Sequence, residues 1–214
     1  MLGFDPTMEA VSQSDDHETQ YDIVVRSRNG EERVYRTLGL LSNTGGSNLL
    51  CRGTRVWRAV PVEDGRPTGD PVALKDSWVD ASREREGLVN MRIREAAAEL
   101  AQVPLRTAVS DDARPGSPFE GSRSPVGRTV HEAIASTLMT VITDGDVFVN
   151  GATDCTKSLP EEFIDSDSDH LIHYRIISKE IGRPLQGESS LATIFEVLSL
   201  VTDSACLLML GIRD

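Results

Sequence analysis

The chain has 214 residues, 39% hydrophobic and 26% charged, and its 34 acidic against 22 basic side chains give a net charge of −12. That length allows one sizeable core or two small lobes, while the charge argues against the basic face a nucleic-acid binder needs to displace counterions and against docking on an anionic membrane. Cys51, Cys155 and Cys206 form no Cys-x-x-Cys pair, no basic and apolar leader opens the chain, and no window approaches the roughly 18 apolar residues of a membrane span, so a reducing intracellular compartment (cytoplasm or nucleus) without zinc or disulfides is the expectation.

Residues 1–19 are polar and acidic and read as disordered. "YDIVV" and "RVYRTLGLL" read as strands flanking "SRNGEE", where Asn29-Gly30 signals a hairpin. "LLCRGTRVWRAVPV" reads as a strand, a glycine corner and a second strand. "EDGRPTGD" turns the chain through Asp64-Gly65 and Gly69, and "PVALKDSW" is the next strand. Strands joined by such short turns predict an antiparallel sheet from about Tyr21 to Trp78.

After Lys75 the period changes. "SREREGLVNMRIREAAAEL" is helical in composition, with Ser82 as its N-cap and a helix expected over 82–100. Val89, Ile93, Ala97 and Leu100 form a buried stripe. At about 100° per residue, Glu86 falls near the middle of that stripe and Glu95 roughly opposite. An inward carboxylate needs a cation, and Lys75 is the nearest in sequence. Taken alone, Lys75 reads as a solvated strand lysine and Glu86 as a first-turn glutamate favoured by the helix dipole.

Residues 109–128, rich in Ser, Pro, Gly and Arg, read as a linker or insertion. "TVHEAIASTLMTVI" reads as a short amphipathic helix, "GDVFVNG" as a small strand and "TDCTKSLPEEFIDSDSDH" as a second polar loop. "LIHYRIISKEIGRPL" is an apolar strand ending in a Gly-Arg-Pro turn, and "SSLATIFEVLSLVTDSACLLML" a long apolar helix capped by Ser189 or Ser190. Asp144, Asp146 and Asn150 are spaced loosely like a calcium loop but lack its closing glutamate, so they read as a hairpin turn. His170 and His173 have no evident third metal ligand, and Cys51 reads as a small apolar residue.

The order is strand, glycine corner, strand, "VALK", helix with an inward Glu, variable stretch, and a strand ending in a polar turn. Protein kinases use this order in their N-lobe. Their glycine loop covers the ATP phosphates, the lysine of V-A-I-K binds the α- and β-phosphates, and a helix glutamate holds that lysine. "RGTRVW", "VALKDSW", "REREG" and "HYRIISKEIGRPL" together make the chain resemble the fungal-type protein kinase family, over about Leu49 to Leu185. The resemblance implies an α+β fold, a protein-kinase-like N-lobe of twisted antiparallel sheet plus one C-type helix, followed by a truncated helical C-lobe start. Together with composition it gives a disordered segment 1–19, an N-lobe and hinge over 20–185 with polar insertions near 109–128 and 150–170, and a first C-lobe helix over 186–214. It implies Mg-ATP as cofactor, with Lys75 on the phosphates, Glu86 as its partner, and Gly53 and Thr54 at the phosphate-loop corner. Val56 and Ala73 would wall the adenine, and Glu180, Ile181 and Gly182 would form the hinge. The family chemistry would be transfer of the γ-phosphoryl to a protein serine or threonine hydroxyl.

The chain departs from the family pattern twice. Cys51 stands where the family has its first loop glycine, which leans toward a pseudokinase-like scaffold that binds a partner protein and no nucleotide. No catalytic loop or Asp-Phe-Gly follows, because the chain ends in "LGIRD". There Asp214 is either the Arg-Asp aspartate of a catalytic loop or an unrelated terminus, and a free terminus would not hold a base rigidly. The expectation is an incomplete kinase-like ATP-binding module, inactive alone, that self-associates or binds a partner through its apolar C-terminal helix.

Overall fold

Runs of β-branched and aromatic residues broken by Gly, Asn and Asp build an antiparallel path. The structure is a computed structural model that describes residues 5–12, 19–44, 53–99, 130–158, 170–183, 189, 190 and 193. Its elements are β1 (Met8–Ser12), β2 (Gln20–Arg26), β3 (Glu32–Thr44), β4 (Thr54–Glu63), β5 (Arg66–Pro67), β6 (Val72–Asp80), α1 (Glu86–Glu99), α2 (Val130–Thr137), β7 (Val141–Asp146), β8 (Phe148–Val149), β9 (Ala152–Thr153) and β10 (Leu171–Ser178). The main sheet runs β1-β2-β3-β4-β6-β10-β7, with β5 added to β4 and β8-β9 a separate hairpin. The strand end at 49–50, Cys51, residues 109–128, 159–169, 184–185, the C-terminal helix apart from the isolated position 193, and Asp214 lie outside the described residues.

The chain divides into two compact units, Met1–Val89 with Met139–Gly187, and Asn90–Leu138 with Glu188–Asp214. The first holds every strand and the opening turn of α1. The second holds the rest of α1 and α2, where Ala97 and Ile134 are buried and Arg94 Nη2 donates to the Leu138 carbonyl at 2.8 Å.

Turn chemistry sets the hairpins. Asp64 and Gly65, at φ 50° and 74°, join β4 to β5, and Asn150 and Gly151, at 52° and 81°, join β8 to β9. Left-handed backbone at both positions is the two-residue hairpin geometry. Asn29-Gly30 turns differently. Only Gly30 is left-handed, at 88°; its N–H bonds the Ser27 carbonyl, and Ser27 N–H bonds the Glu31 carbonyl. This is the longer loop closed by a glycine bulge.

Three sequence expectations change. Residues 1–19 do not all lack structure, because β1 pairs with β2 from Met8 against Ile23. Composition misses this strand because its anchor, Arg175 binding Asp5, lies 170 residues away. Ser82 does not cap α1. Its N–H and hydroxyl donate to Asp80 Oδ1 at 2.8 and 2.7 Å, a local turn that competes with helix. The helix opens four residues later, at Glu86, with the N–H groups of Leu88 and Val89 on the Arg85 carbonyl. The helix read over "TVHEAIASTLMTVI" ends at Thr137, and its β-branched tail enters β7.

Alternation along β6 divides the sheet into two sides. Val72, Leu74, Asp76 and Trp78 lie on one side (the inner), and Ala73, Lys75 and Ser77 on the other (the outer), where Ala73 and Ser77 are also buried and Lys75 is partly exposed. On the inner side Ile23, Val25, Tyr35, Trp57, Ala59, Val72, Leu74 and Ile177 form the apolar core. The sheet curls until β7 meets β2. A Cβ at Gly145 would overlap the Arg26 carbonyl, so this approach requires glycine.

The inner side also holds charge. Asp76 and Arg175 are 2% and 1% exposed. Arg175 donates to Asp76 at 3.4 Å, to the Val24 carbonyl and Thr7 hydroxyl at 2.7 Å each, and to Asp5. His173 contacts Asp76 through Nε2 and Asp154 through Nδ1 at 2.9 Å, and stacks on Trp78 at 4.7 Å. With a carboxylate at each ring nitrogen, both nitrogens donate and the ring is an imidazolium. Arg55 reaches Asp76 at 3.0 Å. Three carboxylates thus face three cations. Burial alone would raise the Asp76 pKa, but the hydrogen bond and charge of His173, with Arg175 and Arg55, bring it to about 2. Burial alone would lower that of His173, but Asp154 and Asp76 hold it at about 9.

Removing one partner of a buried charge cluster costs about 3–5 kcal/mol. Arg175→Leu is therefore expected to destabilise the chain by that order in urea unfolding; a loss below about 1 kcal/mol, ordinary for a surface change, would contradict the cluster. The native imidazolium keeps its proton up to about 9, above its ordinary 6.5, so its stabilisation is complete below pH 6.5 and is lost as pH rises through 9. Asp76 is held below its ordinary 3.8, so its contribution is complete above pH 3.8 and fades as pH falls through about 2. The urea midpoint is expected to be highest between these limits and to fall toward pH 9, with a flatter alkaline limb in His173→Gln.

Candidate functional site

The outer side of β6 gathers the residues singled out by sequence. Register sets Thr54 opposite Ser77, Val56 opposite Lys75 and Arg58 opposite Ala73 on β4, with Ile176 opposite Lys75 on β10. Opposed residues of antiparallel strands share a face, so Thr54, Val56, Ala73 and Lys75 stand together, with Gly53 immediately before β4. Lys75 Nζ lies 2.5 Å from Glu86 Oε2. The two residues proposed from sequence to face each other do so.

Glu86 is not inward, however. Its side chain is 43% exposed and that of Lys75 32%. The stripe through Val89, Ile93 and Ala97 fixes an angle around the helix axis but not a depth. Glu86 is the first helical residue, so no preceding turn covers it. The residue buried at this point is Gly87. An ion pair this exposed is worth about 0.2–1 kcal/mol, too little to fix a helix.

A buried series of hydrogen bonds lies beneath the pair. Gly87 N–H donates to the Tyr174 hydroxyl oxygen at 3.0 Å, and that hydroxyl donates to Asp144 Oδ2 at 2.7 Å. Asp144, 6% exposed, also takes Arg28 Nη2 at 2.6 Å and Nε at 3.0 Å. Burial and the bond to Asp144 both raise the Tyr174 pKa, keeping the phenol protonated. Two residues along β7, Asp146 binds Arg85 at 2.7 and 3.2 Å. Asp144 and Asp146 are therefore tethers, and Asn150 only turns the β8-β9 hairpin. Among the described residues no group of three His, Cys, Asp or Glu side chains could hold a metal ion.

The segment read as a hinge follows β10. Lys179 N–H donates to the Thr140 carbonyl at 2.9 Å, and the Glu180 carboxylate accepts from the Thr140 N–H at 2.6 Å and hydroxyl at 2.8 Å. Ile181 and Gly182 continue without regular structure. Sequence reasoning missed Gly87, Arg28 and Tyr174, and it read Asp144 as part of a hairpin turn where the structure makes it a strand residue bound to Tyr174. One signal was available: a glycine in the first turn of a helix marks a close approach that a side chain would block.

The arrangement offers a partly exposed lysine side chain on the outer side of β6, beside the half-buried Val56 and the buried Ala73. That suits an anionic group next to a flat apolar one. A family model described as fungal protein kinase matches residues 1–205. No curated protein and no solved structure matches the chain. The match spans the curled sheet, the opening of α1 and the Lys75–Glu86 pair alike, and the chain belongs to the fungal protein kinase family.

Proposed function

We propose that this chain is the nucleotide-holding part of a protein kinase, with Lys75 gripping the α- and β-phosphates of Mg-ATP. Glu86 keeps the amine aimed, Gly53 and Thr54 lie at the phosphate-loop corner, Val56 and Ala73 flank the adenine, and Glu180, Ile181 and Gly182 form the hinge. The observation that carries this reading is the 2.5 Å Lys75–Glu86 contact on the side of β6 that Lys75 shares with Val56 and Ala73. The donor set fits phosphate: the Lys75 side chain is about one-third exposed, so an anion can approach its amine from solvent. ATP would supply the transferable phosphoryl group, and its magnesium would neutralise charge on the phosphates. The described residues supply no metal cluster, so magnesium would come already bound to the nucleotide.

Phosphoryl transfer relies almost entirely on positioning and charge stabilisation. The 214 residues contain no Asp-Phe-Gly, the metal-binding motif this chemistry uses. This chain by itself therefore binds Mg-ATP weakly and transfers no phosphoryl group. A second reading, a protein-binding scaffold without nucleotide, is favoured by Cys51, whose side chain would crowd the phosphates where the family has glycine.

A small rise in melting temperature with Mg-ATP is expected, absent in Lys75→Ala, together with no label transfer from radiolabelled ATP to a generic protein substrate. No shift in the wild-type chain at millimolar nucleotide selects the scaffold reading. Lysine-dependent label transfer by the purified chain overturns the expected inactivity.

A further inference from the structure

Glu86 is bracketed by tethers to one strand. The residue before it, Arg85, is bound by Asp146, and the residue after it, Gly87, is bound through Tyr174 to Asp144. The two tethers differ in kind. Arg85 is held at the tip of a long side chain, whereas Gly87 is held by its own backbone N–H, one of the four donors that a helix start leaves without an intrahelical partner. Tyr174 is 1% exposed and Asp144 6%, so this tether is shielded from solvent where the Lys75–Glu86 pair is not. A Cβ at Gly87 would overlap the Asp144 carboxylate. Breaking a buried hydrogen-bonded site costs about 1–3 kcal/mol, more than an exposed ion pair supplies.

We propose that Tyr174, backed by Asp144 and Arg28, is the positioning element that holds Glu86 within reach of Lys75, and that the strength with which Lys75 holds phosphate is set through it. The second half rests on the nucleotide reading above; the first does not. The hydroxyl of Tyr174 fixes the backbone at Gly87, the backbone fixes where the Glu86 side chain leaves the helix, and the ion pair follows. Arg28, from the β2-β3 turn, keeps the Asp144 carboxylate turned toward Tyr174.

The test reads the Lys75 amine directly. An ammonium in an ion pair resists acylation, so the rate of Lys75 acetylation by a water-soluble N-hydroxysuccinimide acetate, followed by mass spectrometry, reports the contact. Glu86→Gln is expected to raise that rate about 1.4- to five-fold, the ratio an exposed ion pair carries. Tyr174→Phe should raise it by a similar factor, the double variant should add nothing, and Lys157 and Lys179 should react at their wild-type rates. If Tyr174→Phe does not fold, Arg28→Gln reads the same quantity with the buried groups left in place. A wild-type Lys75 rate in either folded variant overturns the positioning claim. In parallel, the Mg-ATP Kd in Tyr174→Phe should rise by the same factor, because only the competent fraction binds. An unchanged Kd overturns the second half. A wild-type chain that binds no Mg-ATP removes the nucleotide reading and the second half together, while the acetylation rates still decide the first.

Discussion

A carboxylate inside a curled sheet cannot stand without cations, and Asp76 obtains them from three directions. His173 and Arg175 come from β10 and Arg55 from β4. These contacts fix register as well as charge. Slipping β6 by one residue would turn every side chain to the other side, sending Lys75 into the core and Asp76 out to solvent. The apolar core alone resists that slip less strongly, because Ala73 and Leu74 are both apolar. The buried charge makes the choice absolute. It also reaches further: Arg175 continues to the Val24 carbonyl, Thr7 and Asp5, so the N-terminal segment is drawn into the same network. The outward aim of Lys75 is a consequence of what its neighbour does inside.

The sheet, most of its turns and the Lys75–Glu86 contact were legible in the sequence because each has a local signature. Strand runs, Asp-Gly and Asn-Gly turns, and the switch of period after Lys75 all lie within a few residues. What was not legible depends on partners far along the chain. Asp76 meets His173 across 97 residues, and Asp5 meets Arg175 across 170. In sequence these look like surface charges, and His173 drew notice only as a metal ligand without companions. Ser82 was misread for the opposite reason: Asp80, two residues away, takes its N–H and hydroxyl into a local turn, so the serine does not cap the helix N–H groups. The exposure of Glu86 escaped because a helical wheel gives direction and not depth.

The two sides of β6 also differ in how firmly their charges are held. On the inner side Asp76, Arg175 and His173 are buried, though Arg55 and Asp154 reach them from more exposed positions, and removing one of the three buried partners costs about 3–5 kcal/mol. On the outer side Lys75 and Glu86 meet in partial solvent, where separation costs about 0.2–1 kcal/mol. An anionic ligand can therefore share or displace Glu86 at the amine without stranding a buried charge. Had Glu86 been inward, as its place on the stripe suggested, the same step would leave a desolvated carboxylate behind. The strand thus combines a rigid interior with an adaptable exterior. The helix start stays in place on either account, because Gly87 answers to Tyr174 and not to Lys75.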